Sequence, residues 1–163
     1  MAIFDCKVCG APLEVDNGVS VATCRSCNTR QTVPRTLDVS LEKLYKQAND
    51  LRISREFDRA IAIYDQIIVK DDTQSEAYWG RILCKHGIEY IDDTTKNKKV
   101  PTCHIAIFDS VVNDEDYKKA LEYADEEQRV IYKKSAEEID RIHKEILELA
   151  RSKEEYDVFI CYK

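Results

Sequence analysis

The chain has 163 residues, a net charge of −6, 34% charged residues and only four glycines. That length suits one ordinary domain or two small modules, and so little glycine favours helix over a glycine-rich nucleotide loop. No stretch approaches the roughly 20 apolar residues of a membrane span, and the acidic balance argues against a nucleic-acid partner, because phosphate contacts need a basic patch.

The first chemistry along the chain is a set of four cysteines, Cys6-Lys7-Val8-Cys9 and Cys24-Arg25-Ser26-Cys27. Two Cys-x-x-Cys pairs joined by a short loop are the ligand set of a tetrahedral zinc site, with thiolates at about 2.3 Å from the ion. Gly10 and Asn28 follow the two pairs and tolerate positive φ, which lets the backbone curl around a metal. Pro12–Val15 and Val19–Thr23 read as strands joined by an Asn17-Gly18 turn, and Thr29–Val33 can add a third. Residues 1–36 therefore resemble a zinc ribbon. A redox pair needs a βαβ context that is missing around these cysteines. Two disulfides need an oxidising compartment, and Met-Ala-Ile-Phe-Asp has neither the basic start nor the apolar run of a signal peptide. Four thiolates close the coordination sphere, so the zinc is expected to be structural. A cytoplasmic location follows as the expectation, with Cys84, Cys103 and Cys161 as free thiols.

The ribbon segment holds four basic residues against three acidic ones, so it is +1 and the remainder about −7 of the total −6. Pro34-Arg35-Thr36 is a short break. Helical periodicity starts near Asp38-Val39-Ser40, where Asp38 or Ser40 can cap. Leu41, Leu44, Tyr45, Ala48 and Leu51 share one face. After a turn at Ser54-Arg55-Glu56, a second helix places Phe57, Ala60, Ile61, Tyr64, Ile67 and Ile68 together and ends at Asp71-Asp72.

This pattern resembles a tetratricopeptide repeat: Leu44, Ala48 and Leu51 match its first helix, and Phe57, Ala60 and Tyr64 its second. Thirty-four residues after Leu44 comes Tyr78, within Ala77-Tyr78-Trp79-Gly80, which resembles the start of a second repeat. Its second helix is similar to Asp116–Leu121, with Tyr117 and Ala120 standing like Phe57 and Ala60. Residues from about 87 to 113 interrupt it and predict a β-hairpin, Ile88–Ile91 with Val100–Ile105. Tyr45, Asn49 and Arg52 form a polar stripe: a peptide-binding face, or simply solvated positions. Cys84, His86, Cys103 and His104 lack metal-ligand spacing on a helix and read as buried thiols and surface histidines, and His143 as solvated.

From Asp116 to Ser152 the chain is helical in pattern. Ile131, Ser135, Ile139, Ile142, Ile146 and Leu149 recur at spacings of three and four, a heptad-like stripe. It predicts either docking on the preceding helices or self-association through Ile139, Ile142, Ile146 and Leu149.

The chain closes on Glu155-Tyr-Asp-Val-Phe-Ile-Cys-Tyr-Lys163, a β-prone apolar run. Tyr156, Asp157, Val158, Phe159, Ile160 and Tyr162 resemble the opening strand of a TIR (Toll/interleukin receptor) domain, with Cys161 in place of the usual serine. The order of segments resembles the N-terminal part of a bacterial TIR-domain protein, stopped at its first TIR strand. The expected organisation is mainly α: a zinc ribbon over 1–36, tetratricopeptide-like helices over 37–124, a linker helix over 125–154 and the incomplete TIR strand over 155–163.

That resemblance implies signal transduction through protein partners or self-association. The alternative it implies is the regulatory half of an NAD+ nucleosidase. NAD would then bind only the missing domain, and no catalytic residue is carried onto these 163 positions. Nucleic-acid binding by the ribbon is the third reading, resting on its four basic residues and opposed by the acidic remainder.

Overall fold

The computed structural model describes the chain except Thr36, Leu37, Lys96, Asn97, Ala106, Phe108 and residues 161–163, and it describes side chains to Lys153. Two antiparallel hairpins open it. β1 (Ala2–Asp5) pairs with β2 (Pro12–Val15), and β3 (Val21–Thr23) with β4 (Arg30–Thr32). Each hairpin carries one Cys-x-x-Cys pair in its turn.

This corrects the expected pairing of Pro12–Val15 with Val19–Thr23. The strands close across the cysteine turns instead, and Asn17-Gly18 merely links the two hairpins. The reason is local. Gly10 (φ 77°) and Asn28 (φ 58°) reverse the chain directly after each cysteine pair, so each pair already contains a complete turn. β1 alternates buried Ala2 and Phe4 with exposed Ile3, the period of a half-buried strand.

α1 (Val39–Ile53) starts where the Asp38 side chain accepts the Ser40 N–H at 2.8 Å. Just past its end, Arg55 has a φ of 61°, which lets the Glu56 N–H reach back to the Leu51 carbonyl at 2.8 Å. α2 (Phe57–Lys70) follows after three residues and returns along α1, with fully buried Ala48 and Ala60 allowing the helices to approach. α3 (Ser75–Lys85) then packs on α2. Gly80 permits this contact, because a Cβ there would lie 2.3 Å from Tyr64 Cζ.

β5 (Ile88–Asp93) and β6 (Lys98–Cys103) form the hairpin read from the sequence, with strands that extend into its polar segment. A 3-10 turn at Val111–Asn113 leads to α4 (Glu115–Tyr123), which packs on α3 and is capped by Asp114. α5 (Glu126–Ile160) closes the described chain.

The core has two adjoining parts. Phe4, Leu13, Val15 and Val33 of the hairpins pack with Leu41, Tyr45, Ile63, Tyr64 and Ile67 of α1 and α2. Trp79, Ile82, Leu83, Ile88, Tyr117, Tyr132, Ala136 and Ile139 form the other. The hairpins thus have no separate core: one apolar cluster covers residues from Ala2 to Cys84.

Two expectations about α5 change. Its buried face is Gln128, Tyr132, Ala136, Ile139 and His143, one residue round from the expected stripe except at Ile139. Ile142 and Ile146 are half-buried, and Leu149 is 66% exposed. The helix also continues through Ile160, so residues 155–160 are helical where a strand was expected, and 161–163 lie outside the described residues. A strand needs a neighbour to satisfy its N–H and C=O groups, whereas a helix satisfies them internally. No strand among the described residues pairs with this segment.

Candidate metal centre

The two cysteine turns are built alike. In the first, the Cys6 N–H donates to the Ala11 carbonyl at 2.8 Å and the Gly10 N–H to the Cys6 carbonyl at 2.9 Å. In the second, the Cys24 N–H donates to Thr29 at 3.0 Å and the Asn28 N–H to Cys24 at 2.8 Å. Facing each other, the turns bring the four Sγ atoms within 4.8 Å of one another.

The separations identify the type of site. Cys6 Sγ lies 3.6 Å from Cys27 Sγ, and Cys9 Sγ lies 3.7 Å from Cys24 Sγ. A disulfide would require about 2.05 Å. Ligands at about 2.3 Å from a central ion in a tetrahedron stand about 3.8 Å apart. The four cysteines therefore fit a tetrahedral metal. A four-thiolate tetrahedron suits zinc or iron. All six described cysteines, Cys84 and Cys103 included, are unbridged.

The thiols differ electrostatically. Burial pushes the Cys6 thiol up, but donors from the Cys9 and Val8 backbone and from Gln31 outweigh it and bring the group down to about 7. The Gln31 amide sits 2.9 Å from Cys6 Sγ. Cys9 is pushed up to about 12, first by burial and then by the neighbouring thiols. Four crowded thiols ionise together only when a cation compensates the charge.

The centre is wired directly into the helices. The Cys6 carbonyl accepts from Asn49 Nδ2 at 3.3 Å, and the Lys7 carbonyl accepts from the Arg52 guanidinium. Arg52 also donates to Asn49 Oδ1 at 2.9 Å and to the Ile88 carbonyl at 3.4 Å. Its guanidinium stands 5.9 Å from the Tyr90 ring centroid. Tyr45 meets Phe4 edge-to-face at 6.3 Å and donates to Gln74 Oε1 at 3.0 Å.

Tyr45, Asn49 and Arg52 were expected to line a peptide-binding or solvated face. All three are buried, Arg52 to 2% exposure, and they form the seam between the cysteine turns and α1. A sequence cannot show that the hairpins land on this face, so a buried polar seam looks like a solvated one.

Sequence reasoning also missed the centre of that seam. Lys7, between Cys6 and Cys9, points inward and ion-pairs with Glu76 of α3. The other Glu76 oxygen accepts from the Tyr132 hydroxyl of α5 at 2.6 Å. Burial pulls the Lys7 ammonium down, against the Glu76 carboxylate that holds it up. Burial also drives Tyr132 well above the ordinary phenol range. The only sequence signal was Glu76 itself, a lone acid beside the apolar run Ala77-Tyr78-Trp79.

The histidines require a further correction. His86 and His143 were expected at the surface, yet they are 2% and 5% exposed. His86 Nδ1 lies 3.3 Å from His143 Nε2, and their rings are 4.7 Å apart. Desolvation first, then the neighbouring His143, lowers His86 to about 4. His104 is partly exposed and paired with Glu89 at 2.5 Å. Cys84 is fully buried, and burial raises its thiol to about 12. Among the described residues the four cysteines are the only cluster of three or more His, Cys, Asp or Glu side chains placed to hold one metal ion.

No family model matches the chain, and no curated protein or solved structure matches it. No helix among the described residues is long and apolar enough to cross a membrane.

Proposed function

We propose that the four cysteines hold a structural zinc ion, and that the chain is a zinc-stabilised regulatory and protein-interaction region of a TIR-domain signalling protein. The observation that carries the first part is the pair of Sγ separations, 3.6 and 3.7 Å, in a four-cysteine set. Zinc is preferred to iron because it holds a closed four-thiolate site without redox chemistry of its own. A reducing compartment such as the cytoplasm keeps such thiolates available.

The second part rests on the helix succession and on the C-terminal sequence. The succession α1–α2 and α3–α4, with Ala48, Ala60 and Gly80 at close approaches, supports a tetratricopeptide-like scaffold. The Tyr156–Tyr162 segment supports attachment to a TIR domain through its sequence alone. On this reading the helices bind a protein partner, or another copy, and control assembly of the TIR effector.

Elemental analysis of purified protein tests the metal. One zinc per chain is expected, and none in Cys24→Ser. Iron with visible absorption would overturn the zinc assignment. The gene sequence following the Lys163 codon tests the TIR reading. An open frame encoding a parallel α/β domain supports it; a stop codon removes it.

A further inference from the structure

Lys7 is bonded to β4, α1 and α3 at once. Its N–H donates to Gln31 Oε1 at 2.9 Å, and its carbonyl accepts from Arg52 of α1. Its ammonium pairs with Glu76 of α3, and Glu76 takes the Tyr132 hydroxyl of α5. Tyr132 in turn packs against Trp79, ring centroids 5.0 Å apart. Two bonds thus lead from a residue between two of the cysteines to the long helix.

We propose that metal occupancy at Cys6, Cys9, Cys24 and Cys27 controls the docking of α5, with Lys7–Glu76–Tyr132 as the connection. The inference rests on the metal reading above and adds its regulatory consequence.

The physical argument concerns where Lys7 goes when the turn is released. A bound ion fixes Cys6 and Cys9 together, and so fixes the orientation of Lys7 between them. The largely buried ammonium is tolerable because the Glu76 carboxylate faces it, beside the Thr32 hydroxyl. Without the ion, four thiols at these separations no longer hold the turn, and Lys7 can swing to water. Glu76 would then remain inside the protein with one partner, the Tyr132 hydroxyl. An uncompensated buried carboxylate is costly, so water must enter or the helix must move. A cavity of about 30 Å³ lined by Lys7, Thr32, Tyr45, Tyr64 and Glu76 already gives room for one water beside the pair. Both routes loosen the Trp79–Tyr132 contact that seats α5.

Linkage makes the effect reciprocal: the factor by which bound metal favours α5 docking is the factor by which docking favours metal binding. Two measurements on the full chain test this.

The first is hydrogen exchange on zinc-loaded protein before and after stripping with a chelator. Protection should fall in residues 126–143 as well as in 1–35, accompanied by a change in emission of Trp79, the sole tryptophan. Loss confined to 1–35 overturns the coupling.

The second is zinc affinity by competition with a chromophoric chelator. Tyr132→Phe keeps the ring and removes the hydroxyl from Glu76, and should weaken zinc about five- to twentyfold. Leu149→Asp, on the exposed part of α5, should leave the affinity unchanged. A Tyr132→Phe variant that loses folding stability but keeps full zinc affinity overturns the proposal. A wild-type chain that takes up no metal at all overturns the zinc reading itself, and the coupling with it.

Discussion

Gly80 of α3 packs against the hydroxyl end of the Tyr64 ring of α2, so closely that a Cβ at position 80 would lie 2.3 Å from Tyr64 Cζ and 2.4 Å from Cε1. Both residues are buried. This contact sets the spacing of α2 and α3, and it joins the half of the core shared with the cysteine turns to the half under α5.

Gly80→Ala tests that contact. Alanine gains about 1 kcal/mol of helix propensity over glycine. Overpacking a filled site costs about 1–3 kcal/mol, and the overlap here falls on a ring that is itself buried. The net outcome should be destabilisation by about 1–2 kcal/mol, read as a lower urea midpoint. A midpoint that rises would show that the helices have room to separate.

The cysteine turns depend on backbone conformation as well as on thiols. Asn28 has φ of 58°, the left-handed region that β-branched residues avoid. Asn28→Gly should leave metal uptake and melting temperature near those of wild type. Asn28→Val should cost about 1–3 kcal/mol and weaken zinc retention in a chelator competition. Equal behaviour of the two variants would mean that the turn does not need this conformation.

What could be read from the sequence was local. The cysteine spacing shows which four thiols cluster, because both members of each pair belong to one turn. The α1 cap at Asp38 and the hairpin between α3 and α4 are equally local. Strand pairing was not legible. Asn17-Gly18 is a good hairpin turn by itself, but the two cysteine turns close their own strands first. The seam residues were misread for a different reason. Tyr45, Asn49 and Arg52 have the look of a wet helix face until distant residues supply their partners: Cys6 for Asn49, Lys7 for Arg52, and Phe4 and Gln74 for Tyr45. The helix at 155–160, with 161–163 outside the description, leaves the TIR resemblance as a statement about sequence.

Arg52 is the strongest probe of that seam. Its fork reaches Lys7, Asn49 and Ile88 at once, joining a cysteine turn, α1 and the β5–β6 hairpin. Lysine keeps the charge but cannot span three acceptors. Arg52→Lys should therefore cost about 2–4 kcal/mol, measured by urea unfolding. Wild type should unfold in one transition by far-ultraviolet circular dichroism and by Trp79 emission alike, since the turns share a core with the helices. Two separated transitions would mean that the turns fold on their own.

The buried histidine pair predicts a pH dependence. His86 is lowered to about 4 in the folded protein, from an ordinary value of 6.5. The folded state therefore resists a proton that the unfolded chain accepts. The stability contributed by neutral His86 is fully present above pH 6.5 and is lost as pH falls towards 4, below which it changes no further. His143 and Lys85 oppose protonation, while Asp114 and Asp140 favour it, and burial decides the sign. The loss should reach at most about 3 kcal/mol. His86→Gln removes this titration, so the difference in urea midpoint between wild type and variant should shrink from pH 7 to pH 4.5. A difference that stays constant across that range would place the pH dependence elsewhere.

The α5 stripe makes the last distinction. Ile139 and Leu149 belong to one heptad-like series in the sequence, yet Ile139 is 2% exposed and Leu149 is 66% exposed. Ile139 packs with Tyr132 and Ala136 in the core that includes Trp79. An aspartate at 139 would bury an unpaired carboxylate, so Ile139→Asp should cost 3 kcal/mol or more, roughly the penalty for an uncompensated interior charge. Leu149→Asp should change stability by less than about 0.5 kcal/mol, the usual range for a surface position. If the exposed part of the stripe mediates self-association, Leu149→Asp should instead lower the mass seen by light scattering on size exclusion, with the unfolding midpoint of dilute protein unchanged. An unchanged mass would leave the helix end free for another partner, and a large stability loss at 149 would show that this part of the helix is docked after all.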